Sequence, residues 1–297
     1  MHAGAMCISC ILSKEEKSIR QFSDEEKKSE YIHRVLEILY KYGQTESSPG
    51  LTEKLGQLYQ DFWGSVKDYT AQKQKYNQLL LNMEEKIAQQ IKKASDPMKE
   101  CIKYVCAANY IDFSAVDDVN EATLEGLLQK AVTKNMPEDE YERFREDLQN
   151  ARSLVYLTDN CGEIVLDKLF IQYIKESFKK LSITVIVRGG NVINDATMED
   201  AEEVGLTKLA PCMGNGNAAP GTIVSRLSEE ARTVIYGADL IISKGQGNFE
   251  SLYGEQLNPY YLFLCKCELF VQRFGLAQYE SVFVREARMG KCLYIPS

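Results

Sequence analysis

Between residues 15 and 149 apolar positions recur at helical spacing. Tyr31, Val35, Leu36, Ile38 and Leu39 share one face of a predicted helix, and Leu55, Leu58, Tyr59 and Phe62 share that of another. Residues 79–93 continue the pattern with Leu80, Met83, Ile87 and Ile91. Asp96-Pro97 predicts a helix start with proline in the first turn, running through Ile102, Val105 and Cys106. Segments 123–133 and 138–149 add two more helices, and no alternating strand pattern of useful length interrupts them. Residues 1–150 are therefore expected to form an all-helical domain whose apolar stripes build its core.

After Ala151 the period changes. Short apolar runs rich in β-branched residues at 154–157, 183–187, 240–243 and 261–265, with a last one at 282–284, alternate with helical stretches at 164–180, 198–204 and 222–236. Strands separated by helices of such length pair in parallel through right-handed crossovers. Residues 151–297 are thus expected to form a Rossmann-like, three-layer α/β/α domain with a mostly parallel sheet. In such sheets the ligand site lies beyond the carboxyl ends of the strands, so those turns are where chemistry is sought.

Composition narrows that chemistry. The 297 residues are 44% hydrophobic and 26% charged, an ordinary globular balance, and the net charge of −8 is a poor match for a nucleic-acid binder. Nucleic acid is not an expected partner. No apolar run reaches membrane-spanning length, so no membrane association is expected either. The apolar stretch 3–12 is short, interrupted by Ser9 and lacks a basic flank, so it does not read as a secretory signal. Nine cysteines, an odd number scattered through a chain this long, fit a reducing, cytoplasmic compartment. The two histidines are His2, in a terminus expected to be mobile, and His33, in a helical stretch without a nucleophile motif. Histidine-dependent nucleophilic catalysis and His-rich zinc sites are therefore poor fits. Carboxylates, amides and lysines must carry any reaction.

Three strand-end turns hold such groups. After 154–157 come Thr158-Asp159-Asn160-Cys161-Gly162-Glu163, which read either as hard oxygen ligands for Mg²⁺ or Mn²⁺ or as a turn and helix cap. After 183–187, Asp195 follows Arg188-Gly189-Gly190 and arrives just before a helix, a further oxygen ligand from a separate strand end. After 240–243, Lys244-Gly245-Gln246-Gly247-Asn248 resembles a phosphate cradle with a compensating cation, although Gly-x-Gly alone is a weak signal and no P-loop occurs. Gly214-Asn215-Gly216-Asn217, without a cation, reads as a flexible linker. Lys266 ends the 261–265 run. Together these favour metal-assisted hydrolysis of a phosphoryl group.

At these residues the chain resembles the metal-dependent damage-control phosphatases, formerly grouped as a domain of unknown function. The likeness rests on Asp159-Asn160-x-Gly162-Glu163-x-x-x-Asp167, Asn194-Asp195-Ala196-Thr197 and Lys244-Gly245-x-Gly247-Asn248, occurring in order over nearly the whole chain. It implies a phosphatase of small phosphorylated metabolites, such as sugar phosphates, using a divalent metal ion (Mn, Mg, Co or Ni). Asp159, Asn160 and Asp195 would ligate the metal and, with Lys244, form the catalytic set. Glu163, Gly245, Gln246, Gly247, Asn248 and Lys266 would contact substrate. Residues 109–113 also look like a family segment facing the cleft. Where the eukaryotic subfamily bears Arg-Thr-x-Lys, this chain has Phe263-Leu264-Cys265-Lys266, so only the lysine carries over. The Cys7-x-x-Cys10 pair looks like that of the subfamily found in archaea and some bacteria and eukaryotes, and a structural or accessory role is expected for it.

Rival readings remain at this level. A carboxyl methyltransferase-type transferase would use the same sheet for a nucleotide-like donor. A non-catalytic sugar-phosphate-binding protein would bind without turnover. Cys267 and Arg273 satisfy Cys-x₅-Arg, but the intervening residues lack glycine and read as an apolar helix, which cannot wrap around phosphate.

Overall fold

The structure is a computed structural model that describes residues 1–64, 68–109, 121–133 and 136–289. Helices α1 (Ala5–Ser18), α2 (Glu25–Tyr42) and α3 (Ser48–Trp63) enclose Ile11, Tyr31, Val35, Leu39, Leu51, Leu55 and Tyr59. The apolar stretch near the start of the chain is thus the first helix, earlier than the helical period at residue 15 indicated. The terminus is also anchored rather than mobile, since the Met1 ammonium donates to the Glu250 carbonyl at 2.9 Å and Ala3 N–H to that of Glu46.

Then follow α4 (Thr70–Lys93), α5 (Pro97–Ala108), α6 (Glu121–Val132) and α7 (Glu138–Asn150). Asp96 caps α5 by accepting from Lys99 N–H at 3.1 Å, with Pro97 in the first turn as expected. Tyr76, Leu80, Tyr104 and Phe144 from α4, α5 and α7 pack in one continuous cluster with Tyr156, Phe170, Tyr260 and Phe283. The change of sequence period near residue 150 is real, yet the apolar core runs straight across it.

The sheet contains β1 (Ser153–Leu157), β2 (Ser182–Val187), β3 (Cys212–Gly214), β4 (Leu240–Lys244), β5 (Tyr260–Leu264) and β6 (Ser281–Arg285), in the order β3-β2-β1-β4-β5-β6. All neighbours pair in parallel except β5 and β6. Between the strands lie α8 (Glu163–Ser177), α9 (Met198–Glu203), α10 (Glu229–Tyr236), α11 (Gln246–Leu252) and α12 (Glu268–Phe274). Alternate strand residues face opposite layers. Tyr156, Val185 and Ile242 pack toward α4, α5 and α8, while Val155, Ile186 and Tyr261 pack toward α10, α11 and α12. Every residue of β4 and β5 is buried, as parallel strands covered on both faces should be.

Two local expectations are corrected. The single helix expected at 222–236 is a short 3₁₀ turn, Val224–Arg226, followed by α10, because the Ser228 hydroxyl accepts from Ala231 N–H and starts the helix there. The 214–217 segment is an ordered turn. Asn215 is fully buried, and its Oδ1 accepts from Gly189 and Asn217 N–H at 2.8 and 3.1 Å. Among the described residues, no helix is long and apolar enough to cross a membrane.

Candidate active site

β1 lies between β2 and β4, so successive connections leave the sheet in opposite directions at its carboxyl end, where a crevice opens. Leu157 is level with Ile186 of β2 and Ser243 of β4, which sets the turns after the three strands side by side. The first two are stitched together through their backbones. Asn160 forms an isolated antiparallel bridge with Asp195, Cys161 N–H donates to the Asn194 carbonyl and Ala196 N–H to that of Asp159, both at 2.8 Å. Candidate ligands from two strand ends therefore share one wall.

Their side chains are held by a buried polar network. Asn160 Nδ2 donates to Asp159 Oδ2 at 2.7 Å and to Glu163 Oε2 at 2.9 Å. Asn109, at the end of α5, donates from Nδ2 to the same two oxygens at 2.9 and 3.0 Å. These bonds commit the Asn160 amide nitrogen and leave its Oδ1 as the acceptor available to a cation. Behind them Lys244, fully buried, donates to Glu163 Oε1, to Asp167 Oδ1 at 2.9 Å and to the Val105 carbonyl at 3.2 Å. Asp167 also accepts from the Tyr156 hydroxyl at 2.6 Å. Lys244 is therefore an internal counter-ion rather than a cation at the mouth of the glycine turn.

On the β2 side Arg188, 2% exposed, donates from Nε to Asp195 Oδ2 at 2.5 Å and from Nη1 to Asn248 Oδ1 at 2.9 Å. Its Nη2 lies 3.6 Å from Asp159 Oδ1 and has no hydrogen-bond acceptor among the described residues. Asn248 is also internal, donating to the carbonyls of Thr158 and Lys244 at 2.9 and 2.8 Å.

The electrostatics follow from this burial. Asp159 is pushed up to about 7 by burial, then by Glu163 and Asp195, against the opposing pull of Arg188 and Lys266. Burial likewise raises Asp195 despite Arg188. Asp167 rises to about 6 through burial, with Lys244 opposing. For Glu163 burial acts upward, but Lys244 and the amides of Asn109 and Asn160 outweigh it and hold the acid below its usual range. Four buried carboxylates thus face two buried cations, Arg188 and Lys244.

The third turn closes the wall. Gly245 adopts φ +81°, and a Cβ there would sit 2.1 Å from the Asp159 carboxylate, so only glycine lets this turn approach. A Cβ on Gly247 would meet the Pro220 carbonyl at 2.1 Å. Gln246 is half-buried, with Nε2 3.7 Å from Cys267 Sγ, and Lys266, also half-buried, is close enough to Asp159 to influence its ionisation.

Asp159, Asn160, Glu163, Asp195 and Gly245 come together as one constellation. Lys244 and Asn248 stand behind it, and Gln246, Gly247 and Lys266 lie along its rim. Residues 110–113 of the expected cleft segment lie outside the described residues, whereas Asn109 is part of the site. Sequence reasoning assigned no role to Arg188, whose position directly after β2 was the available signal, nor to Tyr156. Among the described residues, no group of three or more His, Cys, Asp or Glu side chains is arranged to hold a metal.

The family profile described as "Damage-control phosphatase ARMT1-like domain" matches residues 4–282. The chain belongs to this family. Similar relatives of this damage-control phosphatase family member include the "Damage-control phosphatase" of Archaeoglobus fulgidus, 29% identical over 281 residues, covering 93% of this chain and 96% of the relative. A Pyrococcus horikoshii damage-control phosphatase is 32% identical over 169 residues, 56% of this chain and 57% of that one. The crystal structure of a DUF89 family protein from P. horikoshii superposes with a TM-score of 0.83 at 25% identity, covering 96% of this chain and 99% of that one.

Proposed function

We propose that this family member is a divalent-metal-dependent phosphatase that hydrolyses phosphoric monoesters of small metabolites, sugar phosphates among them, in the cytoplasm. The observation that carries the reading is the backbone bridge between Asn160 and Asp195, which places two carboxylates and an amide from separate strand ends beside the Gly245 turn. The set fits a divalent cation. Its donors are hard oxygens, and the buried carboxylates outnumber the buried cations four to two.

Asp159, Asn160 and Asp195 would hold the ion, which when bound would supply Lewis-acid polarisation of a phosphoryl oxygen and a more acidic water. Glu163 and Asn109 orient the Asn160 amide and the Asp159 carboxylate, and Lys244 keeps Glu163 ionised so that it continues to accept from both amides. Arg188 fixes Asp195 from the other side. Lys266 and the backbone at Gln246 and Gly247 form the rim on which the phosphate would rest. Rim donors already in position would stabilise developing charge without reorganising at the moment of transfer.

The test is release of inorganic phosphate from an aryl phosphate with Mn²⁺, Mg²⁺, Co²⁺ or Ni²⁺, before and after chelation, followed by a panel of sugar phosphates. Activity is expected to disappear on chelation and in Asp159→Ala. Turnover surviving both would overturn the reading.

A further inference from the structure

Helix α4 belongs to the helical half, yet Asn77 in its interior is fully buried and bonds both to the turn after β1 and to α9, the helix that the turn after β2 leads into. Its Oδ1 accepts from Gly162 N–H at 2.6 Å, two residues beyond Asn160. Its Nδ2 donates to Asp200 Oδ1 at 2.9 Å and Glu203 Oε2 at 2.7 Å on α9. Asp200 in turn accepts from Thr197 N–H at 2.8 Å, two residues beyond Asp195. One amide therefore spans the gap between the turn after β1 and the turn after β2.

Gly162 has φ +68°, and a Cβ on it would lie 3.3 Å from Tyr76 Cβ and from the Tyr76 carbonyl oxygen, so α4 backs directly onto this turn. Lys73, one turn earlier on α4, places Nζ 2.6 Å from Asp200 Oδ2 and neutralises that carboxylate from the far side. A residue serving only to fill space here would be apolar. Asn77 instead uses one acceptor and both amide protons, a combination that among side chains only asparagine and glutamine offer.

We infer that Asn77 is a positioning residue for metal binding, setting the distance between the Asp159-Asn160 turn and the Asp195 turn. This rests on the proposed metal site. Asn77 touches no proposed ligand side chain, so it acts through the backbone at Gly162 and through the start of α9.

Mn²⁺ affinity, measured by calorimetry and by the paramagnetic resonance of bound Mn²⁺, tests it on the full chain with circular dichroism as the check on folding. Asn77→Asp keeps the acceptor for Gly162 but turns the two donors into a charge facing Asp200 and Glu203. It is expected to weaken Mn²⁺ binding about tenfold or more while the fold persists. Adding Glu203→Gln returns a donor from the opposite side and is expected to recover affinity by about threefold or more. Should Asn77→Asp fail to fold, Glu203→Ala on an exposed side chain frees one amide proton of Asn77, and about threefold weaker binding is expected. Wild-type affinity in a folded Asn77→Asp, no recovery in the double variant, or, in the fallback, unchanged affinity in Glu203→Ala overturns the inference. Asp159→Ala separates the two readings: if it binds Mn²⁺ as wild type does, the metal site itself fails and the inference falls with it.

Discussion

Gly245 and Asp159 touch across the crevice so closely that a single added carbon on the glycine would fall inside the carboxylate, 2.1 Å from both Cγ and Oδ2. Backbone pairing fixes Asp159 against the β2 turn, and the missing side chain lets the β4 turn close on it from the other side. The approach of the β4 turn to Asp159 is therefore set by main chain rather than by rotamers.

Gly245→Ala should disturb this twice. Alanine at φ +81° and ψ 159° carries backbone strain of roughly 1–3 kcal/mol, and its methyl must displace Asp159. The expected result is a lower urea midpoint together with Mn²⁺ affinity reduced by about tenfold or more. Wild-type Mn²⁺ affinity in this variant would show that Asp159 does not need its present position.

Removing the buried lysine should have a larger effect on stability. Lys244→Met leaves Glu163 and Asp167 in the interior without their cation, and loss of one side of a buried ion pair destabilises by about 3–5 kcal/mol. Equilibrium urea unfolding measures this, and a companion Lys244→Met/Glu163→Gln chain should regain part of the loss. A drop below about 1 kcal/mol would mean that the carboxylates are already neutral in the folded protein.

How much of this was legible beforehand varies with the physics behind each feature. The strands could be read because a parallel strand buried on both faces is a short continuous apolar run, and the strand ends then pointed to Asp159, Asn160 and Asp195. The three-residue β3 is too short to leave a period. The inward direction of Lys244 depends on Glu163 and Asp167, one turn apart at the start of α8, which a loop motif of lysine and glycine does not reveal. Asn77 was silent because one polar residue on an amphipathic helix looks the same whether it faces solvent or two turns that lie far along the chain.

The pH response follows from Asp159, raised to about 7 chiefly by burial. Below that value the carboxyl holds a proton that must leave before a metal can bind, so Mn²⁺ affinity should climb about tenfold per pH unit up to about 7 and flatten above it. Metal-free stability should move the other way. A folded-state value above the unfolded 3.8 means that the folded chain binds the extra proton, so stability declines as pH rises from about 4 through 7. Calorimetric titrations and urea midpoints across that range check both signs, and an affinity flat from pH 5 to 8 would contradict the environment described for Asp159.

Arg188 offers a test that separates charge from geometry. Its guanidinium reaches Asp195, Asn248 and the vicinity of Asp159 at once, which a lysine ammonium on a single stem cannot do. Arg188→Lys preserves the charge and should leave the chain folded, but it should lower kcat/KM for the aryl phosphate by about tenfold or more through a looser Asp195. Arg188→Met removes the charge as well, and by stranding Asp195 it should destabilise the chain by about 3–5 kcal/mol. If the lysine variant retains full activity, only the positive charge at this position matters. If the methionine variant keeps wild-type stability, Asp195 is not ionised against Arg188 in the folded chain.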